Sequence, residues 1–427
     1  MGFMLLSEVK MKRFLIIRLI IGMFLSAFFC GCVNQSEPVV LKKKYDQKKL
    51  TLMVYMAADN DLENYALNNL KQLEAGKNEN INVLVLLDRA EGYDETDGNW
   101  TDTRLFEVIH DSSNGSALKS KRLECPPLGL SALQNTELDM AKPSVLKSFI
   151  EYTKDAYKAE NYALIIWGHG NGWRAVTIDE RSSSYMSVHE LGQAVRGQGI
   201  CVIGFDTCFG GVIENIYELK DCADYTVASP GLTPSGGWNY KNLLESLNVE
   251  SVTSDLISRK MAENAASQTS IFINEKLYSL MDSFEGFSMT LAQEIKDSAS
   301  QTSIFQSLLE CKTYSYSQYP CDLYLEVNSL AELFFQKGNS ELSGHAEKLK
   351  KALHDCVFSA DGDTGSIGVH FTEKPSAGAV VGIHSSDYKR NPASNNQNLF
   401  IKESLWWVPT VTGNSGSLLD KLFYTTF

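Results

Sequence analysis

"ALIIWGHGNGW", residues 163–173, carries an apolar run straight into a histidine set between glycines. "CVIGFDTCFGG", residues 201–211, repeats the design with a cysteine. Short unbroken apolar runs of this kind suit strands buried on both faces, as in parallel sheets covered by helices. In such sheets, groups that act on ligands gather where the chain leaves the carboxyl end of a strand. His169 and Cys208 both fall at that point, 39 residues apart, which is room for one crossover to a neighbouring strand. The reading brings imidazole and thiol to one rim of the sheet. It also gives the glycines a role, keeping the histidine loop free of bulk so that a substrate backbone can approach.

The flanking sequence continues the alternation. "LTLMVYMAAD" and "INVLVLLD" read as buried strands ending in acids, and "DLENYALNNLKQLE" between them has helical spacing at Leu62, Tyr65, Ala66, Leu70 and Leu73. "TRLFEVI" reads as a further strand. "KPSVLKSFIEYTKDAY", with Pro143 in its first turn, "VHELGQAVRG" and "GVIENIYELKD" read as helices, and "YTVAS" as a strand. Strands alternating with helices predict an α/β fold with a mostly parallel central sheet covered on both faces. Beyond about residue 240 amphipathic stretches dominate, with one strand-like segment, "GSIGVHF", and an aromatic tail holding Trp406 and Trp407. With no Pro- or Ser-rich linker at the junction, 50–240 reads as the core and 241–427 as a helical extension packed on it.

Ahead of the core, "MKRFLIIRLIIGMFLSAFFCGC" follows the charged, apolar, small-residue plan of an export signal, with Met11 the expected initiator. Cys32 after Gly31 resembles a bacterial lipidation site, against the alternatives of simple secretion or an uncleaved anchor. Residues 1–31 are then signal and 32–49 a tether, and the expected location is a bacterial membrane surface, periplasmic or external. The chain of 427 residues is 44% hydrophobic and 21% charged, with a net charge of −13, which argues against nucleic acid as a partner. Two of nine cysteines lie in the signal; the seven others form no CxxC pair. An odd thiol in an exported chain raises the question of a working one, while buried reduced cysteines fit the rest equally well.

A thiol must ionise before it attacks a carbonyl, and an ordinary one, with a pKa of about 8.5, is largely protonated at neutral pH. A neighbouring imidazole helps, and a helix starting near Gly211 would add the field of its N-terminus. The N–H groups of Gly170 and Cys208 are placed to hold an oxyanion. Taken singly, each residue also fits a structural role. Together, in matched glycine settings, they point to nucleophilic catalysis.

These two motifs, with "YTVASPGLTPSGGW" after them, resemble the clostripain family of cysteine peptidases, in the caspase- and gingipain-like clan. The resemblance runs from about residue 50 to the C-terminus and includes "CDLYLEVNSLAELF" and "GSIGVHF". It implies a three-layer caspase-like sandwich, with Cys208 as nucleophile and His169 as general base and acid, a dyad. It also implies that Asp206 and Trp238 meet substrate in the primary specificity pocket, with Asp206 selecting Arg or Lys. A turn-capping acid is the plainer role for Asp206. Self-cleavage between His169 and Cys208 is implied too, and of Arg174, Arg181 and Arg196 in that interval, Arg181–Ser182 sits in the most polar stretch. The segment 230–237 lacks acidic residues that the family often carries there, so strict Arg or Lys preference is open. No cofactor is required. Some members bind calcium, but "DGDTG" at 361–365 lacks calcium-loop spacing and reads as a turn.

Expected partners are peptides with basic residues and, through the lipid, a membrane. "HELGQ" from His189 lacks the second histidine of a zinc peptidase, and no G-x-S-x-G elbow is present. The rival expectation is a surface lipoprotein that binds peptide or glycan on the same scaffold without turnover.

Overall fold

The apolar runs become the strands of one large sheet. The computed structural model describes residues 47–113, 117–315, 322–373, 398–404, 406 and 422. Its strands in chain order are β1 (Lys48–Ala58), β2 (Ile81–Arg89), β3 (Thr103–Glu107), β4 (Lys121–Leu123), β5 (Ala159–Gly168), β6 (Thr177–Asp179) and β7 (Ser184–Met186). They continue as β8 (Val202–Asp206), β9 (Tyr225–Ala228), β10 (Ser270–Ile273), β11 (Thr313–Tyr314), β12 (Asp322–Glu326), β13 (Val357–Phe358) and β14 (Gly368–Glu373).

The large sheet has the order β13-β10-β9-β8-β5-β1-β2-β3-β4. Its centre, β9-β8-β5-β1-β2, is parallel. Antiparallel pairs extend both edges, β3 and β4 on one side and β10 and β13 on the other. A small sheet, β11-β12-β14, and the hairpin β6-β7 complete the strands.

Alternation along the central strands feeds two cores. From β1, Met53, Tyr55 and Ala57 face the helices Pro143–Ala156, Val188–Val195 and Leu277–Gln293. Leu52, Val54 and Met56 face the helices Glu63–Gly76, Tyr240–Ser246 and Ser254–Glu263. Burial on both sides explains why these strands read as unbroken apolar runs. The three-layer α/β sandwich is therefore present, with a sheet of mixed rather than uniformly parallel character.

The stretch after residue 241 is not a purely helical addition. It supplies β10 and β13 to the large sheet and β14 to the small one, and the chain from Asp46 onward forms one unit. The short strands "SIFI" and "VF" carry too few residues to show alternation. "GSIGVHF" does become β14, which lies beside the segment after Cys208 through the bridge of Val212 to Gly368.

Phe149 is fully buried beneath the sheet, its ring 6.2 Å from that of Tyr55. Phe149→Ala is expected to lower the unfolding free energy by about 3–5 kcal/mol, read as a lower urea midpoint by far-UV circular dichroism.

Candidate active site

Neighbouring strands β5 and β8 run parallel with Trp167 opposite Asp206. Both leave the sheet one or two residues later, so His169 and Cys208 emerge side by side at the carboxyl rim. Gly168 has φ +138°, and a Cβ there would lie 2.8 Å from the Ala57 carbonyl of β1. The turn into His169 therefore needs glycine.

Gly170 has a different role from the one its sequence setting suggests. A Cβ at this position would stand 2.5 Å from the Cys208 carbonyl and 2.9 Å from the Thr207 side chain. Its bareness lets the histidine and cysteine loops pack on each other on its Cα side, while the residue still lines the cavity. Gly172 likewise lies against the Tyr324 hydroxyl.

His169 is held by a residue that the motifs did not reveal. Its Nε2 lies 2.7 Å from Oδ1 of Asp61. Asp61 sits in the turn after β1, fixed by the buried Asn60, whose side chain donates to the Ala57 carbonyl and accepts from the Leu62 N–H. Strand β1 pairs with β5, so the acid at its end falls beside the histidine. The available signal was the acidic close of "MAADND" on a strand adjoining the histidine strand.

The Cys208 thiol is half-buried and contacts the segment after β9. Its sulfur lies 3.7 Å from the Thr233 carbonyl and accepts from the Thr233 N–H at 3.4 Å. The segments pair further through Phe209 N–H to Gly231 O and Gly211 N–H to Ser229 O, each 2.8 Å. Phe209, next to Cys208, is held at φ +55°, a strained region for a bulky residue. Burial pushes the Cys208 thiol above its usual range; the Thr233 N–H opposes that rise and Asp206 adds to it. The helix expected near Gly211 starts at Ile213 and spans six residues. The N–H that reaches the sulfur comes from Thr233 instead. No hydrogen bond joins Cys208 to His169.

Between these groups opens a cavity of about 600 Å³, walled by His169, Gly170, Cys208, Leu232, Thr233 and Asp206 among others. Asp206 is 4% exposed. Its Oδ2 accepts from the Trp238 N–H at 3.0 Å and the Tyr240 hydroxyl at 2.8 Å, while Oδ1 is buried with no hydrogen-bond partner. Burial pushes its carboxyl up to about 7 against the pull of those two donors.

Trp238, expected to meet substrate, is buried instead. Its indole lies where a Cβ on Gly204 would be, 2.8 Å away, and only its backbone serves Asp206. The apolar ring is better satisfied in the core than at a wet wall. Asn69, also unmarked in the sequence, donates to the Gly236 carbonyl and accepts from the Trp167 indole, bracing the floor.

Arg181 and Ser182 lie in the turn of the β6-β7 hairpin. The Arg181 guanidinium reaches Glu137 at 3.1 Å and the Thr101 carbonyl at 3.2 Å. His189 pairs with Glu218 and Gln193, far from any zinc arrangement. Cys32 lies outside the described residues.

An α/β sheet that presents histidine and cysteine from adjacent strand ends over a buried acid is the architecture of caspase-like cysteine peptidases. The chain belongs to the Clostripain family, which it matches over residues 54–395. It is similar to clostripain from Hathewaya histolytica, at 28% identity over 231 residues, 47% of this chain and 43% of that protein. The match thus spans less than half of that relative. Two solved structures share the fold at TM-score 0.54. One is a secreted cysteine protease from Bacteroides thetaiotaomicron in complex with an irreversible peptide inhibitor (17% identity, 78% of this chain, 95% of that one). The other is an inactive zymogen protease from Parabacteroides distasonis (19% identity, 76% and 92%).

All six described cysteines are free. Burial pushes Cys125 to about 11 and Cys201, Cys311 and Cys356 to about 12. Brief treatment of the native protein with iodoacetamide is expected to label Cys208 ahead of these four. Because thiolate is the reactive form, the rate should climb with pH towards a midpoint above about 8.5. Peptide mass spectrometry reads both.

Proposed function

We propose that the chain is an exported cysteine endopeptidase that cleaves peptide bonds after Arg or Lys. One observation carries the specificity. A cavity walled by a thiol and an imidazole also contains a buried carboxylate whose Oδ1 has no partner. A guanidinium or ammonium entering the cavity supplies that partner, and a buried charge-assisted pair of this kind is strong and directional.

The chemistry follows from the rim. His169 takes the proton of the Cys208 thiol as sulfur bonds to the carbonyl carbon. Asp61, on the Nε2 side, fixes the ring so that Nδ1 is the nitrogen that accepts. The carbonyl electrons move to oxygen, held by the N–H groups of Gly170 and Cys208. Collapse breaks the C–N bond, and His169 returns the proton to the leaving amine. Water, losing a proton to His169, then attacks the thioester; the C–S bond breaks and the thiol is restored. Thr233 must leave the sulfur for the first step.

Self-cleavage at Arg181–Ser182 belongs to this reading, since the side chain is half-exposed in a tight turn. So do the export signal and the lipid on Cys32. Among the described residues no helix is long and apolar enough to cross a membrane. The rival reading, a peptide- or glycan-binding scaffold without turnover, draws on the missing hydrogen bond between Cys208 and His169. Fluorogenic Arg and Lys amides separate the two. Turnover that vanishes in Cys208→Ala supports the peptidase. No turnover across basic, neutral and acidic peptides, after attempted activation, supports the binder.

Asp61→Ala is expected to lower kcat about tenfold or more with KM little changed, and Asp61→Asn to recover part of it, in steady-state assays. Asp206→Asn should lower kcat/KM for Arg and Lys substrates at least about 100-fold. It should also stabilise the protein at pH 8. The folded carboxyl titrates near 7, above its unfolded value, so its contribution is whole below about pH 4 and lost as pH rises through 7, by roughly 4 kcal/mol. An amide keeps the acceptor for Trp238 and Tyr240 and carries no charge. Thermal unfolding at pH 5 and pH 8 checks the sign.

A further inference from the structure

A second cavity, of about 530 Å³, opens beside the first along the histidine loop. Its walls include Asn171, Trp173, Arg174, Ile178, Ser184 and Tyr185, and Asn171 also lines the cavity of His169 and Cys208. The two spaces share that wall and lie over different faces of the sheet. Asp206 turns to the core of Trp238 and Tyr240, whereas Trp173 belongs to the core on the other face. The transfer steps at the rim leave this second space unused.

The hairpin β6-β7 supplies its apolar wall. Ile178 and Tyr185 stand opposite each other in the register, so their side chains leave the same face. The neighbouring pair, Thr177 and Met186, is buried, which leaves Ile178 and Tyr185 turned outward; Tyr185 is 66% exposed. Single exposed aromatics are common on protein surfaces. This one instead walls a concave space together with Ile178 and Trp173, the setting in which rings hold ligands. The histidine loop, which forms the facing wall, is held in place. The Asn171 N–H donates to the Ala175 carbonyl at 2.8 Å, the Arg174 N–H to the Asn171 carbonyl at 3.2 Å, and the Asn215 amide to the Gly172 carbonyl at 3.2 Å.

We propose that this second cavity receives a bulky apolar or aromatic side chain of the substrate, one or two residues beyond the cleaved bond. The inference rests on the peptidase reading, because that reading fixes the direction of the chain. The basic side chain goes to Asp206, and His169 returns a proton to the leaving amine. The residue bearing that amine must then lie against the histidine loop, and the same loop walls the second cavity. An extended chain advances roughly 3.3–3.6 Å per residue. A space that shares Asn171 with the first is therefore within reach of the first two leaving residues.

The walls decide the chemistry of the occupant. Tyr185 and Ile178 offer apolar surface that gains from being covered. The Arg174 guanidinium lies over the Trp173 ring, 4.7 Å from its centre, and extends the stacking surface. Glu180 and the buried Asp179 also line the space and disfavour an acidic side chain. The substrate is then read on both sides of the cleaved bond, by charge before it and by bulk after it.

The test uses three internally quenched peptides, identical up to a single Arg and then continuing Gly-Gly, Phe-Gly or Gly-Phe. In the parent, one of the two Phe peptides should exceed Gly-Gly at least about tenfold in kcat/KM. Tyr185→Ala, checked for fold by circular dichroism, should cut that gain below about threefold. Binding is measured separately on the full chain carrying Cys208→Ala, which can cut neither peptide nor itself. There the favoured Phe peptide should bind at least about fivefold more tightly than Gly-Gly by fluorescence anisotropy, and adding Tyr185→Ala should remove the difference. Equal kcat/KM for all three peptides overturns the subsite and leaves the peptidase reading standing. A folded Tyr185→Ala enzyme that keeps the full gain also overturns it, since the Phe ring would then be held elsewhere. Cleavage of none of the three, with a binding preference that Tyr185→Ala abolishes, keeps the cavity as a peptide site and removes the peptidase reading. Neither cleavage nor a binding preference overturns both.

Discussion

The register between β5 and β8 is the constraint on which the site rests. Because the two strands are adjacent and parallel, with Trp167 opposite Asp206, equal steps beyond the sheet bring His169 and Cys208 to the same place. A shift by one residue would turn every side chain of β8 to the opposite core and carry Asp206 away from the cavity floor. The two-sided core prevents that slip, since Phe205 belongs to one core and Val202 to the other. Packing thereby sets the geometry of chemistry that occurs outside it.

Holding the rim requires departures from comfortable structure. Gly168 and Gly170 make room for backbone that would strike any side chain, and Phe209 is held in a left-handed conformation. Asp206 is kept in the interior with half its hydrogen-bonding capacity unmet. None of these helps folding, and all lie at the ends of β5 and β8 or in the loops that carry His169 and Cys208. Their grouping agrees with a site in which local stability is sacrificed for arrangement.

The sequence made the central strands legible because burial on both faces leaves unbroken apolar runs, and it marked His169 and Cys208 because each follows such a run; Asp206 was marked only by the family resemblance. It was silent where the information is spatial. Asp61 becomes a partner of His169 only through the pairing of β1 with β5, which neither segment states. Trp238 looked like a pocket residue because it follows a glycine-rich loop, yet its ring lies in the core above Gly204. The strands β10 and β13 are too short for a periodic signal, so a sheet that continues past residue 241 could not be read. The helix expected at Gly211 begins at Ile213, and the N–H that reaches the sulfur is that of Thr233.

The lone oxygen of Asp206 has one more consequence. Burial pushes its carboxyl up to about 7, so on the proposed specificity an arriving guanidinium competes with a proton for that oxygen. Under that specificity, grip on a basic side chain is an exchange of one cation for another. On that reading the acidity of the surroundings sets how tightly the cavity holds a basic side chain, relaxing in acid and tightening in alkali with no part of the fold needing to move.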